Sequence, residues 1–178
     1  MKIFVVIAVL LLVAAVFVFI RSSSSQVHSF WDVLRNPAAL PDLDRMHAEV
    51  DKAAASLSGT PADIAALVDS FVFKTRSDNS EWMEERVLAK LGTEAYPRTL
   101  EILRDNSLTN KLTTMSTGEF HLPEGPINRL CKIFDQDAPP PVEAASLLSP
   151  FLESEEKEIR KSVALILGSI GASHSIPD

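Results

Sequence analysis

The sequence predicts an all-α protein, with one N-terminal transmembrane helix followed by a helical body. Three observations lead there. Residues 3–20, IFVVIAVLLLVAAVFVFI, are apolar without interruption. Downstream, apolar residues recur at three- and four-residue spacing in segment after segment, the spacing of a one-sided helix. Period-two alternation bounded by turn residues, the mark of a strand, is confined to short fragments.

At 1.5 Å rise per residue the apolar run would reach about 27 Å, close to the hydrocarbon thickness of a bilayer. It has no polar face to meet water, so it does not read as a core helix. Lys2 precedes it and Arg21 closes it. Its length and Arg21 favour an uncleaved anchor over residues 1–21. Ser22 to Ser25 leave a cleaved signal peptide, and hence a secreted or periplasmic body, as the alternative. Lys2 and the amino terminus favour a cytoplasmic N-terminus and an extracytoplasmic body in a single-pass topology. Arg21, Arg35 and Arg45 pull the other way.

Residues 22–59 form a tether and the N-terminal helices. RSSSSQVHS is polar, and FWDVLRN is short and aromatic, with Phe30 and Trp31 suited to a bilayer interface or to a core edge. Pro37 and Pro41 break the chain. DLDRMHAEVDKAAASL then gives an amphipathic helix through Leu43, Met46, Val50, Ala54 and Leu57. His47 and Asp51 lie one turn apart on it; a solvated helix-face contact accounts for them better than a metal or acid–base pair.

The main domain is expected over residues 60–178. Thr60 can cap a helix whose first turn holds Pro61 and Asp63, with Ile64, Leu67, Val68, Phe71 and Val72 as its buried stripe. After the polar KTRSDNS comes EWMEERVLAKLG, ending at Gly92, a favoured C-terminal cap. Glu94 to Leu103 follow as a helix with Leu100 and Leu103 inward. Residues 105–125 break the rhythm with a long polar loop. Glu119, His121 and Glu124 within it are three possible ligands without defined geometry, so an insertion or a disordered loop is preferred to a metal site. PINRLCKIF is a short helix carrying Cys131 as a small core residue. VEAASLLSPFLE is the next, with Pro150 expected to kink or stop it. The last helix begins near Ser154, its N-terminal turns loaded by Glu155, Glu156 and Glu158, with a stripe through Ile159, Val163, Ile166, Leu167 and Ile170.

Composition narrows the function. The chain has 17 Lys and Arg against 24 Asp and Glu; without Lys2 and Arg21 the body stands at −9. No basic block is present, which disfavours nucleic acid as a partner. One cysteine allows no internal disulfide, and no zinc or haem-attachment spacing occurs. No nucleophile–base arrangement, Gly-rich phosphate loop or paired-carboxylate motif is recognisable. No catalytic residue, cofactor or metal ligand is assigned, and the chain does not read as an enzyme.

Self-comparison finds a recurring unit. LAKLGTEAYPRTLEIL (88–103) parallels LILGSIGASHSIPD (165–178): Leu88 matches Leu167, Leu91 matches Ile170, Gly92 matches Gly171 and Pro97 matches Pro177. Each time an apolar pair and Gly close a helix, and Pro opens the returning one. At these residues the chain resembles HEAT repeats, especially the short type also found in phycobilisome-lyase-like proteins. Ile159 and Arg160 stand where that family has Val-Arg. The unit at 81–103 matches in its second half only, with Ser80 and Glu81 at the Val-Arg positions. The unit around 124–152 departs further, with Phe134 in place of Gly.

The resemblance implies a short α-solenoid of about three degenerate helix pairs. An ordinary helical bundle is the alternative. It also implies an interaction or scaffolding module that binds another protein, here held at a membrane by residues 3–20. Arg160 would then support packing between successive units. Two other readings are carried: a lyase-like protein acting on a chromophore-bearing partner, and the N-terminal part of a larger enzyme. The second draws on Ile176-Pro177-Asp178, which stands where a next helix would begin, so truncation at the C-terminus is an expectation.

Overall fold

A computed structural model describes residues 43–73, 79–105, 107–109, 125–135 and 138–174. The anchor at 3–20, the aromatic pair Phe30 and Trp31, and Ile176-Pro177 lie outside them. All regular structure among the described residues is helical, and none of these helices is long and apolar enough to cross a membrane. The chain divides into two compact units, 1–56 and 57–178.

The described part of the first unit is α1, Leu43–Leu57, whose last residue opens the second unit. The expected stripe is buried only in its C-terminal half. Val50, Ala53, Ala54 and Leu57 are buried, whereas Met46 is half-buried and Leu43 is 61% exposed.

The second unit begins with a turn at Gly59, whose φ of 75° suits a residue without Cβ. α2 (Pro61–Val72) follows, with Pro61 in its first turn and the predicted stripe of Ile64, Leu67, Val68, Phe71 and Val72 buried. Thr60 does not cap it. The Thr60 hydroxyl and N–H instead both donate to the carbonyl of Leu57. That oxygen has lost its helical partner at the end of α1, so the turn satisfies it first.

α3 (Asn79–Leu91) buries Met83, Val87, Leu88 and Leu91. Gly92 takes φ 54°, as the cap reading requires, and opens a 3-10 turn, Gly92–Ala95. α4 (Tyr96–Arg104) starts there, with Pro97 in its first turn and Leu100 and Leu103 inward. Beyond it the Asp105 carboxylate accepts from the Ser107 N–H at 2.8 Å and from the Ser107 hydroxyl at 2.7 Å, at the start of the helical residues 107–109.

α5 (Pro126–Phe134) buries all but two of its residues, Asn128 and Lys132. α6 (Glu143–Leu148) stops short of Pro150, and the chain continues as a 3-10 turn, Ser149–Glu153. Proline removes a backbone donor and crowds the preceding turn, so the early stop is expected.

α7 (Lys157–His174) buries Ile159, Val163, Ile166 and Ile170, with Leu167 half-buried. Glu155 and Glu156 lie before its first turn, which holds Glu158 alone of the three. Gly171 departs from expectation. It does not close α7; the helix runs through it to His174, and its φ is not positive. Ala172 and Ser173 follow it, and neither forces a stop. The match between Gly92 and Gly171 is therefore one of sequence, not of backbone conformation.

The two glycines should respond oppositely to alanine. Gly92→Ala places a Cβ on a left-handed residue and should cost about 1–2 kcal/mol. Gly171→Ala enters open space on a helix and should stabilise by about 0.5–1 kcal/mol. Chemical denaturation of the two variants checks this. Equal losses would restore Gly171 as a cap.

Within the second unit α2 packs on α3, α4 and α5; α3 also packs on α5; α4 on α5 and α6; and both α5 and α6 on α7. Phe71, Leu67, Met83, Leu88, Ile102, Ile127, Leu130 and Phe134 are among its largest fully buried side chains.

Candidate functional site

The most unusual chemistry in the second unit is a buried polar centre shared by α2, α3 and α5. Arg129 is 0% exposed and Glu81 is 8% exposed. The guanidinium meets the carboxylate side-on: Nε donates to one Glu81 oxygen at 3.2 Å and Nη2 to the other at 3.3 Å. One turn along α3, the buried Glu84 carboxylate accepts from the Ser70 hydroxyl of α2 at 2.5 Å. Isolated charges here would carry a desolvation cost of several kcal/mol each, so their pairing is a condition of the fold.

Helix register places these groups inside. Glu84 shares a face with Val87, Leu88 and Leu91, and Arg129 with Pro126, Leu130 and Ile133, at three- and four-residue spacing. A charge on an otherwise apolar stripe was the signal available in the sequence. In the repeat comparison Glu81 stands at a Val-Arg position, and the repeat pattern assigns no role to Glu84 or Arg129.

Further polar ties join the same helices. Lys132 of α5 donates to Glu85 of α3 at 3.0 Å. Arg98 of α4 makes a two-pronged pair with Asp69 of α2, at 2.8 and 2.9 Å. Arg104 of α4 pairs with Glu143 of α6. Tyr96 donates from its hydroxyl to the Ala138 carbonyl at 2.9 Å, and burial raises its phenol above the ordinary value. At the turns, Glu94 accepts from the Ser58 hydroxyl and the Gly59 N–H, both at 2.7 Å. The Gly59 and Ser58 bonds hold its carboxyl below the usual range.

The residues expected to mark the repeat fall in two places. Leu88, Leu91, Gly92 and Pro97 form the junction of α3 with α4, the two leucines buried. Arg160 lies in the first turn of α7, and Leu167, Ile170 and Gly171 lie in its second half. Arg160 reaches its own approach segment rather than another helix: Nη1 donates to the carbonyls of Ser154 at 2.6 Å and Glu155 at 2.8 Å. It ties the segment after α6 to the start of α7.

His47 is exposed on α1. Glu119, His121 and Glu124 lie outside the described residues. Among the described residues no group of three or more His, Cys, Asp or Glu side chains is placed to hold a metal ion.

Cys131 is the buried core residue expected from sequence. Burial, with a smaller contribution from Asp135, pushes its thiol up to about 12. A free thiol ionises near 8.5, so above that pH the unfolded chain releases a proton that the folded chain keeps. Stability should therefore fall between about pH 8.5 and about 12, a slope that Cys131→Ala reduces, leaving the part that the raised Tyr96 phenol contributes. At pH 8 an aromatic disulfide reagent should label Cys131 only after denaturation. Rapid labelling of the native protein would contradict its burial.

Comparison with protein-family models, curated proteins and solved structures returned no match.

Proposed function

We propose that the chain is a membrane-anchored protein-interaction module, its body a short HEAT-like α-solenoid with no chemistry of its own. The observation that carries this reading is the order of helix neighbours. α2, α4 and α6 follow one another in contact, as do α3, α5 and α7, and α2 packs on α3, α4 on α5 and α6 on α7. That order supports a reading as three stacked helix pairs, α2–α3, α4–α5 and α6–α7, set one helix earlier than the units read at 81–103 and 124–152; α2 also packs on α5. Pro61, Pro97 and Pro141 stand at or just before the first helix of each pair, 36 and 44 residues apart, near the period of helical repeats.

Helix pairs of this kind bury their faces on one another and offer an extended surface to partners. The polar ties follow the same order: Asp69 to Arg98 and Arg104 to Glu143 along one row, Glu81 to Arg129 and Glu85 to Lys132 along the other. The location rests on residues 3–20, whose length and apolarity suit a bilayer span.

Affinity capture of the tagged full chain from its native membrane fraction tests the reading. The expected result is a membrane pellet that resists alkaline carbonate, together with a defined protein partner. Release by carbonate would overturn the anchor. Recovery of nothing beyond an untagged control would overturn the interaction role.

A further inference from the structure

We draw no further inference here: the strongest candidate, the outward surface of α7 where Ala164, Gly168 and the 63%-exposed Leu165 meet solvent, is an apolar helix face, and nothing in the structure shows what covers it.

Discussion

Arg129→Met should destabilise the protein by about 3–5 kcal/mol, the usual consequence of removing one partner from a buried ion pair. The loss comes less from the missing attraction than from what remains. Glu81 would keep a buried carboxylate whose two oxygens now lack the Nε and Nη2 donors at 3.2 and 3.3 Å. Replacing both residues with methionine should recover much of the loss, because apolar side chains of similar volume often match or exceed a buried pair in stability. Equilibrium denaturation followed by helical circular dichroism measures both variants. A single-variant loss below about 1 kcal/mol, the scale of an exposed pair, would mean that Arg129 is not buried against Glu81. A double variant no better than the single would place the contribution of Arg129 elsewhere than in this pair.

The contrast between this pair and the rest of the molecule explains which features the sequence made legible. The buried stripe of α2 and the stop before Pro150 follow from side-chain periodicity and ring geometry within one or two turns. The positive φ at Gly92 is similarly local. Glu81 and Arg129 are 48 residues apart, and no local rule joins them. Their helix faces were readable, but the choice of partner depends on which helices stack.

Gly171 shows the opposite failure. Its sequence context copies that of Gly92, yet the backbone conformation differs, because glycine permits a left-handed turn without requiring one. Thr60 illustrates competition of a third kind. Its hydroxyl can serve either the helix that begins or the one that ends, and it donates to the Leu57 carbonyl. Arg160 likewise finds its acceptors on the adjoining segment.

Phe134 supplies a second large expected effect, and one that bears on the repeat itself. The HEAT resemblance expects glycine at this position, so Phe134→Gly would bring the chain closer to the family pattern. It should nevertheless destabilise the protein by at least about 3–5 kcal/mol, the range for removing a buried aromatic side chain. Phe134 is helical and neither it nor Asp135 is left-handed; Asp135 has φ −85° and donates its N–H to the Cys131 carbonyl at 3.0 Å. Glycine is therefore not required for the turn, and the position is free to serve the core. The Phe134 ring is fully buried and lies 5.4 Å from the ring of Tyr96, tilted by 52°. Tyr96 is the chain's one tyrosine, so its phenol reports on this contact directly. Loss of the neighbouring ring should admit water and bring the raised phenol back toward its ordinary value, visible in an ultraviolet titration. Phe134→Leu should keep most of the stability and most of the shift. If Phe134→Gly were neutral in denaturation and left the Tyr96 titration unchanged, the position would be a repeat cap after all, and the core assignment of Phe134 would fall.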